Sequence, residues 1–260
     1  MDAAAAFPKN LFDLSGQRIL VAGSGGLGHP AAVALAAHGA EVVCADLNRS
    51  HAEETAAEAA HYGAASARQL DILDAGQVHE VAAEPWNGLV FTAGVNVRKR
   101  IADYTDADFD KVVDLNLRGA FHLLRAFGTA MADQGGGSIV AFSSIRDAVV
   151  EPGQSVYAAA KAGVVQLVHT AAAEWGGRGV RVNAVAPGIV DTALTGQIKA
   201  DEAWRTAYEE KSTLGRWARP EELAGAVVYL CSPAASFVNG STLRVDGGWT
   251  VVDGRFDPPN

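Results

Sequence analysis

The 260-residue chain is predicted to be α/β: one doubly wound domain, a parallel sheet of about seven strands with helices on both faces. Three observations predict it. Short runs of Val, Ile, Leu and Ala recur without polar alternation, which is how strands buried on both faces read. Helical stretches separate these runs, and strands joined through helices pair in parallel by right-handed crossovers. The first apolar run passes directly into glycines that open the first helix.

The first strand is read at 18–23 (RILVAG), followed by a helix at 30–38 with Pro30 in its first turn, where the missing N–H costs nothing. A strand at 41–46, a helix at 50–62 opened by a Ser cap, and a strand near 67–72 come next. A helix near 75–83 leads to a strand at 88–93. A long helix at 106–132 precedes the strand 138–143, and a helix at 155–175 precedes the strand 181–186. A helix at about 220–230 and a last strand at 242–245 complete the set. Residues 189–214 are polar and broken by Gly196, and a segment that long reads as a mobile lid. No linker divides the chain, so 1–260 reads as a single domain.

Apolar residues make up 49% and charged residues 20%, a globular composition. The net charge of -9 argues against nucleic acid or an anionic membrane as partner. Cys44 and Cys231 lie in apolar runs as buried thiols, with no disulfide framework or metal site expected. The start MDAAAAFPKN lacks the features of a signal peptide, and no apolar stretch reaches the roughly 18 residues of a membrane span. A cytoplasmic protein is the expectation.

The segment VAGSGGLG places Gly23, Gly25 and Gly28 in G-x-G-x-x-G, with Gly26 a fourth glycine and Ser24 and Leu27 completing the loop. After a strand and before a helix, such glycines let a pyrophosphate sit on the helix N-terminus. Asp46 ends the second strand, where a carboxylate can accept from both ribose hydroxyls and repel a 2′-phosphate. NAD is therefore favoured over NADP; Arg49, the nearby cation, reads as a solvated side chain at a helix start. Asp71, followed by Ile72, either bonds an adenine amino group or caps a turn.

Tyr157 and Lys161, four apart on a predicted helix, share one face. A phenol ordinarily titrates near ~10, and a neighbouring cation favours the phenolate, so the pair reads as an acid/base unit. Ser144, thirteen residues before Tyr157, can hold a reacting alcohol or ketone oxygen against the phenol.

With these residues in order, followed by PGIVDT at 187–192 and the ending LGRWARPEELAGAVVYLCSPAASFVNGSTLRVDGGW, nearly the whole chain resembles the short-chain dehydrogenase/reductases. The resemblance implies a Rossmann-type sheet and a set of roles. Tyr157 would be general base in oxidation and general acid in reduction, Lys161 would bond the nicotinamide ribose and lower the Tyr pKa, and Ser144 would orient the substrate oxygen. Asn116 would hold a water that relays protons from Lys161. The Ala93–Gly94 turn and Pro187, Gly188, Ile189 and Thr192 would border the dinucleotide. The family's pairing of two helices implies a homotetramer, with Phe121, Leu124, Val165 and Val168 as apolar positions for the interface. The chain departs from the family pattern twice. Its glycine loop is one residue shorter with Ala22 in place of Thr, and Phe91-Thr92-Ala93-Gly94 stands for Asn-Asn-Ala-Gly. A compensated fold is expected, with the phosphate contacts of Ser24 and Gly25 altered.

Arg98 follows the Ala-Gly turn and either pairs with a substrate carboxylate or belongs to a solvated basic loop or subunit contact. Arg146, Asp147, Glu151 and Gln154 suit a hydroxylated small-molecule substrate, and Trp204 and Tyr208 could cover it. The expected activity is NAD-dependent interconversion of a secondary alcohol and a ketone on a polyol, sugar or sugar acid. The alternatives are an NADPH-dependent 3-oxoacyl-type reductase and a non-catalytic dinucleotide-binding protein. The tail, 251–260, is read as frayed or reaching a neighbour.

Overall fold

Seven parallel strands form one sheet in the order β3-β2-β1-β4-β5-β6-β7 in the computed structural model, which describes residues 10–253. The strands are β1 (Arg18–Ala22), β2 (Glu41–Asp46), β3 (Ala65–Gln69), β4 (Gly88–Phe91), β5 (Gly137–Phe142), β6 (Val180–Pro187) and β7 (Thr242–Val245). Strand order reverses between β1 and β4, and in such sheets a ligand binds at the carboxyl ends beside the reversal. The register makes that crevice concrete. Ala22 pairs with both Ala45 and Phe91, so the turns after β1 and β4 leave the sheet side by side.

The faces are covered by α1 (Gly28–Ala37), α2 (Arg49–Ala59), α3 (Ala75–Ala82), α4 (Asp106–Val113), α5 (Gly119–Asp133), α6 (Ser155–Trp175) and α9 (Ala224–Cys231). On one face Leu123, Phe127 and Met131 of α5 pack with Val164 and Val168 of α6 over Leu89, Ile139 and Val182. On the other, Leu35 of α1 and Val227 and Leu230 of α9 pack over Val21, Val90 and Val140. Each such fully buried side chain contributes ~1.5–3 kcal/mol of transfer free energy.

Four local expectations are corrected. The helix read at 106–132 is interrupted by a π-helical turn, Asp114–Arg118, which keeps helical dihedrals and carries no Pro or Gly to mark it. The helix read from Ser50 is capped two residues earlier: Asn48 accepts from the Ser50 amide at 3.0 Å. The strand read near 67–72 ends at Gln69 and lies at the sheet edge, half exposed, so it lacks the two-sided burial of its neighbours. The segment 189–214 contains α7 (Gly196–Lys199) and α8 (Glu202–Lys211), and Gly196 opens a helix where a break was expected.

Leu124 and Val168 lie in this chain's own core, at 3% and 0% exposure, and so cannot serve an interface; Phe121 stays 44% exposed. Cys44 and Cys231 are buried free thiols. Among the described residues no helix is long and apolar enough to cross a membrane. Most of the tail read at 251–260 lies outside the described residues.

Candidate active site

A cavity of about 630 Å³ runs along the carboxyl edge of the sheet. The glycine loop, Asp46, Asp71 and Ile72 wall one end; Ala93, Gly94, Ser144, Tyr157, Lys161 and the run 187–190 with Thr192 line the middle; Arg98, Arg146 and Gln154 close the other. Ser24, Gly28 and Asn116 stand behind the wall and act through what they hold.

At the glycine end the shortened loop is tied down by polar contacts. Ser24, fully buried, donates its hydroxyl to Ala45 O at 3.0 Å and its amide to Asp46 Oδ2 at 2.9 Å. Its expected phosphate contact is therefore corrected to a structural one. Thr92 donates to Gly23 O at 2.6 Å, which replaces the missing asparagine with one cross-strand link. Asp46 also accepts from the Asn48 amide at 2.9 Å, yet still faces the cavity. Arg49 is paired with Glu53 at 2.7 Å, as befits a solvated helix start. Asp71 accepts from the Leu73 amide at 2.9 Å, so the turn-cap reading holds while its carboxylate still lines the cavity. The loop fits a dinucleotide: a Cβ added at Gly25 would meet nothing closer than 3.9 Å, so bare backbone faces open space there.

In the middle, α6 carries Tyr157 and Lys161 one turn apart, 7% and 4% exposed. The Lys161 ammonium donates to Phe142 O at 2.8 Å and lies 5.7 Å from the Tyr157 ring centre. Burial raises the phenol above its usual value; its hydrogen bond with Ser144 and the Arg98 and Arg146 guanidiniums pull it back down. The two guanidiniums thus act on Tyr157 in the sense expected of Lys161, whose ammonium stands on the same side of the cavity. Lys161 is itself pushed down to about 8 by burial.

That depression has a testable consequence. The folded value lies below the unfolded one, so the cost of burying the ammonium is full below pH 8 and vanishes as pH rises through about 10.5. Lys161→Met is expected to gain about 1–2 kcal/mol of stability at pH 7, after loss of the Phe142 hydrogen bond, while turnover collapses. Thermal unfolding at pH 7 checks it; a lower melting temperature in the variant would refute the account.

The π-turn swings Asn116 inward, where its Nδ2 donates to Val95 O and Val112 O, each at 2.8 Å. Its Oδ1 is buried without a hydrogen-bond partner among the described residues. A Cβ on Gly94 would lie 2.9 Å from that oxygen and 3.5 Å from Lys161 Nζ, so both face one small gap beside the cavity. A buried acceptor next to an ammonium suits a bound water.

At the far end Arg98 is 13% exposed, with its guanidinium over the Trp204 ring, which excludes the solvated-loop reading. Arg146 donates to Glu151 Oε2 at 2.6 Å, and Tyr208 of α8 donates to the same oxygen. Gln154 donates its Nε2 to Glu151, which leaves its Oε1 to accept from Asn96 Nδ2 at 3.0 Å. Asn96, on the cavity wall with Oδ1 buried and unpartnered among the described residues, is a polar group the sequence did not single out. Its proximity to Arg98 in the chain was the sole signal. Trp249, against Tyr208 and Arg146, was likewise unforeseen.

A family model described as enoyl-(acyl carrier protein) reductase matches residues 21–250. Galactitol 2-dehydrogenase (L-tagatose-forming) from Cereibacter sphaeroides is 38% identical over 253 residues, 94% of this chain and 98% of that protein. Gluconate 5-dehydrogenase from Gluconobacter oxydans is 36% identical over 253 residues, 93% and 98% of the two. A solved gluconate 5-dehydrogenase from Burkholderia cenocepacia J2315, in complex with NADP and tartrate, superposes with a TM-score of 0.90 at 31% identity, covering 94% and 98%. With likeness across almost the full length of both partners, the chain belongs to the short-chain dehydrogenase/reductase family of nicotinamide-dependent oxidoreductases.

Proposed function

We propose that this chain interconverts a secondary alcohol and its ketone on a polyol, sugar or sugar acid, with Tyr157 as general acid/base and NAD as redox partner. The observation that carries the reading is the placement of Ser144, Tyr157 and Lys161 on one cavity with the glycine loop and Arg98. When bound, the dinucleotide would supply the hydride transfer. Gly25, Gly26 and Leu27 would hold its pyrophosphate, Asp46 one ribose, Lys161 the other, and Pro187, Gly188, Ile189 and Thr192 its nicotinamide end. In oxidation Tyr157 Oη takes the hydroxyl proton while Ser144 Oγ holds the substrate oxygen; in reduction the proton returns along the same path. Lys161 and a water on Asn116 Oδ1 would pass protons onward to solvent. Arg98 would receive a substrate carboxylate and Arg146 and Gln154 would shape the pocket for hydroxyls.

The negative charge of Asp46 supports NAD, although a relative of 31% identity was solved with NADP. Asp46→Asn is expected to narrow the NAD over NADP preference about tenfold, since roughly 1–2 kcal/mol of repulsion of a 2′-phosphate is removed. The ratio of kcat/KM for the two cofactors reads it, and an unchanged ratio would refute the assignment. The 3-oxoacyl alternative is disfavoured by the charged far end of the cavity, which an acyl chain would have to enter.

The reading also takes 1–260 as one unit, 189–214 as its lid, and the exposed Phe121 face as part of a homotetramer in the cytoplasm. A monomeric mass at micromolar concentration would refute the tetramer. The direct test of function is the absorbance of reduced nicotinamide with NAD or NADP against polyols, aldoses, sugar acids and simple secondary alcohols. Signal with a sugar acid or polyol is expected; silence with intact dinucleotide binding would overturn the substrate reading.

A further inference from the structure

Glu151 is the one acidic side chain, among the described residues, in contact with the guanidinium pair that lines the far end of the cavity. Its Oε2 accepts from Arg146 Nη2 at 2.6 Å, from Gln154 Nε2 at 2.5 Å and from the Tyr208 hydroxyl, and lies 4.0 Å from Arg98 Nη1. Arg98 and Arg146 line the cavity and Glu151 does not. The two arginines differ in what they have left to offer. Arg146, 5% exposed, is locked between Glu151 and the Trp249 ring. Arg98 donates no hydrogen bond among the described residues and is held only by its stack on Trp204 and the distant carboxylate. Of the charges beside them in the chain, Asp147 is balanced by Arg244 at 2.9 Å and Lys99 by Asp108 at 2.6 Å, and Arg100 is exposed outside the cavity. Two guanidiniums and one carboxylate therefore leave this end with a single net positive charge.

We propose that Glu151 is the positioning residue that sets the specificity of the pocket: by neutralising Arg146 it leaves Arg98 as the receptor for one carboxylate and makes the site reject a dianion. The inference rests on the sugar-acid reading above and adds the charge the substrate carries. A planar fork such as Arg98 takes one carboxylate bidentately. A second carboxylate, or a phosphate, brings another negative charge toward Glu151 with no free cation among the described residues at this end of the cavity to receive it. A charge a few ångströms away in a partly buried site is worth about tenfold or more in affinity.

The test is calorimetric titration of enzyme saturated with the reduced dinucleotide, which cannot oxidise an alcohol, so that binding is read without turnover. The probes are gluconate with one carboxylate, glucarate with two, and galactitol with none. Wild type is expected to bind gluconate at least tenfold more tightly than glucarate. Glu151→Gln is expected to raise glucarate affinity relative to gluconate by about tenfold, Glu151→Asp to keep the wild-type order, and Arg98→Met to bring gluconate down to the level of galactitol. A purely structural role for Glu151 would weaken all three ligands together. Equal affinity of wild type for gluconate and glucarate overturns the proposal without recourse to a variant. If wild type favours gluconate and Glu151→Gln leaves the ratio of the two affinities unchanged, the assignment to Glu151 falls while the sugar-acid reading stands. If wild type binds gluconate no better than galactitol, the sugar-acid reading fails and this inference with it.

Discussion

Tyr157→Phe is expected to lower kcat by roughly 10²–10⁴-fold, the usual contribution of a positioned acid/base group, while dinucleotide affinity changes little. The substitution removes one hydroxyl and keeps the ring, which is 7% exposed on α6, so the packing that supports the fold is retained. What is lost is the atom hydrogen-bonded to Ser144 and faced by Arg98 and Arg146. Burial raises this phenol, and the neutral form therefore prevails at neutral pH, ready to protonate a ketone. Alcohol oxidation needs the phenolate, so its rate should climb as pH rises, and this climb should vanish in the variant. Steady-state kinetics in both directions across pH 6–10, roughly the range from neutral to phenol ionisation, measure it. Turnover within tenfold of wild type would show that another group moves the proton.

The sequence was most legible where one chemical cause dominates. Strands such as Val42–Ala45 must be apolar on both faces because helices cover both. Tyr157 and Lys161 needed only the helical period to be brought together. The π-turn at Asp114–Arg118 was illegible because it inserts no breaker: its residues suit a helix, and only the gap beside Gly94 and Lys161 explains why Asn116 must turn inward. The placement of Ser24 was hidden for a related reason. A serine in a glycine loop suggests a phosphate contact, and its burial follows from Asp46 and Ala45, which arrive from the next strand. The far end of the cavity depends on longer-range geometry still. Arg98, Glu151 and Tyr208 come from three separate segments, and their shared charge balance exists only after the sheet and α8 have formed.

Gly28→Ala is expected to be the most damaging single-methyl addition in the glycine loop, costing about 1–3 kcal/mol of stability and tenfold or more in dinucleotide affinity. The added Cβ would lie 1.8 Å from Gly23 O and 2.9 Å from Thr92 Oγ1. Neither neighbour can give way cheaply. Gly23 sits at φ +93° with its amide donating to Ala45 O at 2.8 Å, and its carbonyl receives the Thr92 hydroxyl that replaces the family's asparagine. Relief of the clash must therefore move the turn that aims the loop, or lift α1 away from β4. Gly25→Ala is the control. Its backbone is unstrained and its new methyl meets only His51 at 3.9 Å, so stability should change by less than about 0.5 kcal/mol. If a pyrophosphate approaches the bare backbone at Gly25, that variant should still lose affinity, because the methyl occupies the approach. Thermal unfolding together with dinucleotide titration separates the two glycines: Gly28 as a structural necessity felt through the loop, Gly25 as open space kept for the ligand. A Gly28→Ala protein as stable as wild type, with dinucleotide affinity intact, would mean that the loop relaxes freely and that its rigidity does not position the cofactor.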